Sequence, residues 1–225
     1  MSPQTDLIDD QPAALDPRQT TRIEAVHRGF LYQHLYAVGC LLLAEKHQIS
    51  SVSVERDEDI ELQHVGRTYI QVKTRIKPII PSDIAEALAR FDTLRADHVS
   101  GHRQGKAHFF VVMNQPPGPL LLQNIQSGQM SADVQLVWPG SETRVIPALP
   151  PAWSGIDQAA VWCAQLAGKL PYSLISPESL VWKLAGCVQL ASSGSAPYST
   201  HTFKSDDLRA LFEQLIVKMQ AFPNP

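Results

Sequence analysis

The chain has 225 residues, 44% of them hydrophobic, and a formal net charge of −3 at pH 7. This length and composition allow a sizeable core and exclude wholesale disorder, and the net charge excludes a generally basic surface for nucleic acid. Cys40, Cys163 and Cys187 form no CxxC motif or His/Cys cluster, so no structural zinc site is expected; with no signal peptide, they predict reduced thiols in the cytoplasm.

The first half of the chain has the pattern of one helix followed by a strand-rich segment. Apolar residues recur at intervals of three and four in the first helix, whereas they alternate with polar residues in the strands. Ser82 is the expected N-cap of the second helix. In chain order the predicted elements are a flexible leader (1–20), a helix (about 21–47), a strand (51–54), two strands flanking a turn (65–67), a helix (about 83–99) and a buried strand (107–113).

The second half changes from strands to helices. Prolines between residues 139 and 155 predict a loop, with a possible short strand at 143–146. The other predicted elements are a short helix (120–127), a strand (133–138) and three helices (156–168, 177–191 and 205–222). The sequence therefore predicts an α/β fold, with a core over residues 21–150 and a helical extension over 151–225 that leads into a further domain.

The two strands around the turn at Val65-Gly66-Arg67 are the chemical centre of the chain. Alternation places Ile60, Leu62, Ile70 and Val72 on one face of the sheet. The opposite face carries Asp57, Asp59, Glu61, Gln71 and Lys73. This second face is either a site for a divalent metal and a phosphodiester or a solvated surface with cross-strand ion pairs.

The residue types on that face fit magnesium chemistry. Mg²⁺ takes oxygen ligands, which the Asp59 carboxylate and the Gln71 side-chain carbonyl can supply. Lys73 lies two residues beyond Gln71 and therefore shares its face, where an ammonium can position a water and balance charge. Glu55 is a candidate second carboxylate ligand, or a partner of Arg56. The neighbouring acids 57 and 58 are expected to line a solvated turn.

The order of these residues resembles the PD-(D/E)xK superfamily of restriction-endonuclease-like nucleases. The segment Gly29-Phe-Leu-Tyr-Gln33 precedes Glu55, Asp59-Ile60 and Gln71-Val-Lys73-Thr, and a later strand ends in Val112-Met113-Asn114. Together these segments are similar to the double-stranded DNA endonuclease domain of bacterial anti-phage defence proteins. That domain stands beside SAVED sensor domains in CD-NTase (CBASS) effectors and at the front of STAND-type ATPases. The resemblance covers residues 26–114.

The resemblance implies a mixed central sheet flanked by helices and a metal-dependent endonuclease with little sequence specificity. Asp59 and Gln71 then hold Mg²⁺ or Mn²⁺, Lys73 is the catalytic lysine, and Gln33 and Glu55 are possible additional site residues. Gln71 departs from the many members that have a carboxylate there, and one negative charge fewer should weaken metal binding. A catalytically silent module that binds nucleic acid or a partner protein is the alternative function.

Partners follow from charge and from the resemblance. Residues 64–108 hold eight Lys/Arg against four Asp/Glu, which is either a phosphate-facing patch or an ordinary mixed surface. Arg75, Lys77 and Lys106 are the candidate DNA contacts, since they flank the site strand or open the next strand. We also expect a fused C-terminal sensor domain, activation by homo-oligomerisation and no membrane association.

Overall fold

The computed structural model describes residues 16–141, 149–170 and 176–220. The possible strand at 143–146 and the last five residues lie outside them. The helices are α1 (Pro17–Leu43), α2 (Pro81–Val99), α3 (Pro119–Gln126), α4 (Ile156–Ala167), α5 (Pro177–Ser192) and α6 (Ser205–Gln220). The strands are β1 (Ser51–Val54), β2 (Ile60–Gln63), β3 (Arg67–Lys73), β4 (Ala107–Met113), β5 (Val134–Val137) and β6 (Thr202–Lys204).

The strands form a mixed sheet in the order β5-β4-β3-β2-β1-β6. β1, β2 and β3 are an antiparallel meander, and β6 adds to the outer edge of β1 in antiparallel orientation. β4 and β5 run parallel to β3, because α2 and α3 return the chain to the same end of the sheet each time. The predicted α/β architecture with a mixed, helix-flanked sheet is confirmed.

Two hydrophobic cores lie on opposite faces of this sheet. Ile60, Leu62, Ile70 and Val72 belong to the first core, which α1, α4 and α5 cover. The second core lies under α2 and α3, where the Phe109 ring stacks on Tyr69 at 5.5 Å and packs against Phe91 at 5.0 Å between centroids. Of the two interpretations of the polar face, the solvated surface is therefore wrong, since helices cover both faces of the sheet.

α1 begins earlier and ends earlier than predicted from the apolar residues that recur at intervals of three and four. Asp16 caps it by accepting a hydrogen bond from the Arg18 N–H at 2.9 Å, and Pro17 occupies the first turn. Residues 17–20 are thus helical rather than part of a leader. The helix ends at Leu43, four residues before the expected end, and Gln48 follows with a φ of 53°.

The cap of α2 also differs from the prediction. Ile80 is the N-cap, and its N–H donates to the Asp83 carboxylate at 3.0 Å. Pro81 occupies the first turn, so Ser82 lies inside the helix. The prediction of a Ser82 cap is wrong because a proline fits the first helical position, where its missing N–H costs nothing.

The segment after residue 150 is part of the same core as the sheet. Trp153 is buried, and the Tyr32 hydroxyl donates to its carbonyl at 2.8 Å. Helices α4 and α5 pack on α1, and Leu208 and Phe212 of α6 join the first core. The boundary expected at residue 150 does not separate two cores, and β6, which sequence reasoning missed, ties the last helices to the sheet. Among the described residues, no helix is long and apolar enough to cross a membrane.

Candidate functional site

The predicted site residues converge at one end of the sheet. Glu55 directly follows β1, Asp59 directly precedes β2, and Gln71 and Lys73 lie in the last three residues of β3. The pairing of Val54 with Ile60, and of Ile60 with residue 70, brings these three strand ends side by side. The antiparallel meander therefore brings four polar residues to the same end of the sheet, although up to 18 positions separate them in sequence.

Asp59 is at the centre of this group. One oxygen of its carboxylate accepts the Val72 N–H at 2.7 Å, which ties the turn before β2 to the end of β3. Burial raises the pKa of Asp59 above its usual range, and the negative charge of Glu55 adds to that rise. The Val72 N–H, the Gln71 amide and the Lys73 charge oppose the rise in pKa. The carboxylate is thus in a place where a cation would be favourable.

Glu55 reaches the site in a left-handed backbone conformation, with a φ of 48°. That conformation costs a non-glycine residue about 1 kcal/mol or more. Its N–H donates to the Asp59 carbonyl at 3.1 Å, and its carboxylate accepts the Gln33 amide at 2.5 Å. Gln33, on α1, is 8% exposed and is fixed by its helix. The strained backbone conformation is therefore held at a candidate site residue.

Gln71 and Lys73 form the other wall of the site. Gln71 is buried at 6% exposure, whereas Lys73 is half-buried. The positive charge of Lys73 makes a small contribution at three carboxyl groups: it opposes the rise in pKa that burial causes at Asp59 and Glu58, and it adds to the lowering of the pKa of Asp83 by the Ile80 N–H and Arg75. A single ammonium thus stands among three carboxyl groups at the end of β3.

The acids before Asp59 do not line a solvated turn. Glu58 is 2% exposed, and burial raises its pKa to about 7. Arg90 of α2 forms an ion pair with Glu58, at 3.3 Å between its Nε and one carboxylate oxygen. Asp57 pairs with Arg103 at 2.7 Å. The expectation of a solvated turn is wrong because α2 and the loop after it cover this segment.

Two residues that the sequence did not assign to the site hold the segment after Lys73. The Asn114 side chain accepts the Arg75 N–H at 2.7 Å and donates to the Arg75 carbonyl at 3.0 Å. Asp83 pairs with the Arg75 guanidinium at 2.8 Å. Their sequence signals are an Asn at the end of a buried strand and an Asp in the first turn of a helix.

The three candidate DNA contacts are not at one place. Arg75 and Lys77 are exposed and follow the site strand directly. Lys106 is exposed too, but its carbonyl accepts the N–H of Arg67, at the start of β3. Six residues of strand separate that end from Lys73, which is about 20 Å. Lys106 therefore lies at the opposite end of the sheet.

The donor set fits a weakly held hard cation. The described residues contain no group of three His, Cys, Asp or Glu side chains arranged to hold a metal ion. Two carboxylates, Glu55 and Asp59, and the amide oxygen of Gln71 remain, and hard oxygen donors of this kind suit Mg²⁺ with several retained waters. The desolvated Asp59 carboxylate is the observation in favour of a cation. Together with Lys73, this arrangement can bind and polarise an anionic phosphodiester.

Comparison with known proteins adds no family. No protein-family model and no curated protein matches the chain. A crystal structure described as a protein of unknown function, AF1548, is similar over 85% of this chain and all of its own, with 13% identity and a TM-score of 0.35. A similarity of that size carries no argument about either fold or function.

Proposed function

We propose that the chain is a metal-dependent endonuclease that hydrolyses phosphodiester bonds of double-stranded DNA with little sequence specificity. One observation carries this proposal: Asp59, Gln71 and Lys73 meet at one edge of the sheet, with Glu55 and Gln33 adjoining. The residues are those that the resemblance to PD-(D/E)xK nucleases implies. The mixed, helix-flanked sheet is also the architecture which that resemblance implies.

Each residue has a defined role in this proposal. Asp59, Gln71 and Glu55 would hold Mg²⁺ or Mn²⁺, and that ion would supply Lewis-acid polarisation of the phosphodiester. Gln33 orients the Glu55 carboxylate through its amide. The Lys73 ammonium orients the attacking water and balances the negative charge that grows on the phosphate oxygens. Val72 anchors the strand, because its side chain is in the core and its N–H holds Asp59.

The DNA path is proposed to run over the end of β3. Arg75 and Lys77 are exposed there and follow the catalytic lysine directly. Asn114 fixes the backbone of Arg75, so the guanidinium starts from a rigid position. Lys106 is left out of this path, because it lies at the far end of the strands.

The biological setting is proposed from the resemblance. We infer a cytoplasmic effector module of a bacterial anti-phage defence protein, fused to a sensor domain and activated when that domain clusters several copies. Clustering brings two sites to the two strands of one duplex. Fusion of the chain to an unrelated oligomer-forming domain should then raise the cleavage rate per site.

A catalytically silent module is the second candidate function. The observation in its favour is that the described residues hold no group of three acidic, His or Cys ligands. Such a module would bind DNA or a partner protein and leave the phosphodiester intact. The experiment below separates the two, since only the enzyme depends on both metal and Lys73.

The test is plasmid cleavage with Mg²⁺ or with EDTA, for wild type and for Lys73→Met. Methionine retains most of the aliphatic stem, and no core packing depends on the ammonium. We expect cleavage that requires Mg²⁺ and falls on the order of a hundredfold or more in Lys73→Met. Lys106→Met, the same change at the far end of the sheet, is the matched control and should cleave like wild type. Cleavage by Lys73→Met at the wild-type rate contradicts the proposal, and absence of any cleavage in oligomeric fusions favours the silent module.

A further inference from the structure

The first half of α1 projects beyond the sheet. Residues 16–28 are all exposed, whereas residues 32–43 are buried in the first core. The exposed helix from Pro17 to Phe30 is here called the α1 arm. At 1.5 Å per residue, the arm extends about 20 Å past the point where α1 enters the core. Since Gln33 contacts Glu55, the arm leaves the body at the site end of the sheet.

One face of the arm is in line with the site. Gly29 lies against Thr74, the residue that follows β3: a Cβ placed on Gly29 would be 3.1 Å from the Thr74 hydroxyl. Gln33, four residues later, contacts Glu55. At about 100° per residue, Arg18 and Arg22 fall within about 60° of Gly29 and Gln33 around the helix axis. Arg18 and Arg22 therefore lie on the same side of α1 as Gly29 and Gln33.

Arg28 lies on a different side of the arm. The same helical geometry turns it about 100° away from Gly29 and about 140° away from Gln33. Among the described residues, none of the side chains of Arg18, Arg22 and Arg28 takes part in an ion pair or a hydrogen bond; Arg18 bonds to the Asp16 carboxylate through its backbone N–H. All three charges are available, but only two face the site side.

The charge of the α1 arm indicates an anionic partner. The arm carries three arginines and one acidic residue, Glu24, in a chain whose net charge is −3. The exposed cations Arg75 and Lys77 lie at the same end of the sheet as the arm. Arg18 and Arg22 are about 6 Å apart along the axis, which is close to the spacing of every second phosphate on a strand with one phosphate for about every 3.4 Å of duplex.

We propose that the α1 arm is a phosphate-binding arm, which contacts the DNA backbone through Arg18 and Arg22 at about 17–23 Å along α1 from Gln33, beyond the cleavage site. This rests on the proposed function, because it names the surface that holds the same duplex. The contacts are to phosphates, so they add affinity without sequence preference. An apolar stripe lies beside the two arginines and consists of Ile23, Val26 and Phe30, each about half exposed. The alternative role of the arm is contact with a second copy of the chain through this stripe.

The test measures binding apart from cleavage. Binding of a labelled 30-base-pair duplex is followed by fluorescence anisotropy in EDTA over a series of salt concentrations, and plasmid cleavage is measured separately with Mg²⁺. The variants are Arg18→Ala/Arg22→Ala and the charge-matched control Arg28→Ala/Lys106→Ala. Arg18→Lys/Arg22→Lys retains the charges and checks that any loss is not a folding defect, together with circular dichroism.

Two lost phosphate contacts should make the log Kd against log salt plot shallower by about 1.8, and weaken binding at 0.1 M salt on the order of tenfold to a hundredfold. The lysine variant should stay within about threefold of wild type because it retains both charges, and the control should do so because its side chains lie off the contact path. Equal loss in both alanine doubles, or no loss in Arg18→Ala/Arg22→Ala, overturns the proposal.

Two results separate this proposal from the proposed function. If wild type cleaves DNA and Arg18→Ala/Arg22→Ala binds and cleaves equally well, the arm fails and the nuclease assignment stands. If binding depends on the arm but no form cleaves, the arm stands and the catalytic assignment fails. A wild-type dimer that Ile23→Asp/Val26→Asp makes monomeric, with DNA binding unchanged in the arginine double, assigns the arm to protein contact and overturns the proposal.

Discussion

Two aspartates that are two residues apart should respond to the same substitution with opposite changes in stability. Burial raises the pKa of Asp59, so its charge at neutral pH disfavours the folded state. The Arg103 hydrogen bond lowers the pKa of Asp57, so its charge favours the folded state. Replacement of either by asparagine retains size and one acceptor oxygen, and exchanges the other oxygen and the negative charge for a neutral NH2 group.

The magnitudes follow from the surroundings of each carboxyl group. Asp59→Asn should raise the free energy of unfolding by about 1 kcal/mol, because an asparagine oxygen still accepts the Val72 N–H. For a chain of 225 residues, that corresponds to a melting temperature about 2–4 °C higher. Asp57→Asn should lower the free energy of unfolding by about 1 kcal/mol, since the 2.7 Å pair with Arg103 is about a quarter exposed and partly screened.

The assay is urea and thermal unfolding in EDTA, with DNA cleavage measured in parallel. Both effects should be largest at neutral and higher pH. On acidification, the Asp59 penalty disappears as the pH falls through its raised folded-state pKa, and the Asp57 contribution is lost as the pH falls through its lowered one. Cleavage should fall on the order of a hundredfold in Asp59→Asn and stay near wild type in Asp57→Asn. Stability shifts of the same sign in both variants would refute the reasoning.

Three further predictions test the site and the sheet. Gln71→Glu adds a charged ligand and should tighten Mg²⁺ binding measured by calorimetry; unchanged affinity removes position 71 from the metal site. His64 accepts the Gly66 N–H at its Nδ1 (3.2 Å), and burial lowers its pKa below that of the unfolded chain, so stability should fall between pH 7.5 and 5.5. His64→Gln should flatten that fall, whereas the exposed His102→Gln should not. A Cβ at position 66 would lie 2.4 Å from a backbone oxygen, so Gly66→Ala should lower the free energy of unfolding by more than about 2 kcal/mol, while Gly186→Ala, in an open helical position, should raise it by about 0.5–1 kcal/mol.

The sequence by itself determined which side chains of the two strands around the site share a face of the sheet. Alternation is local information: Ile60 and Ile70 had to face one way, and their neighbours Asp59 and Gln71 the other. The turn expected at residues 65–67 lies at residues 64–66, and Arg67 is the first residue of β3. The faces were predicted although the turn was placed one residue late, because the alternation of side chains within each strand does not depend on how the strands pair.

Only the tertiary structure decided what covers the second face and which distant residues reach the site. Alternation cannot distinguish a solvated polar face from one under α2, so the burial of Glu58 was missed. The Gln33 contact with Glu55 spans 22 positions and depends on how α1 packs across the sheet. β6, three residues long, is too short to carry a pattern and exists because the edge of β1 is free to pair. Packing between elements, which no local periodicity records, supplied each of these features.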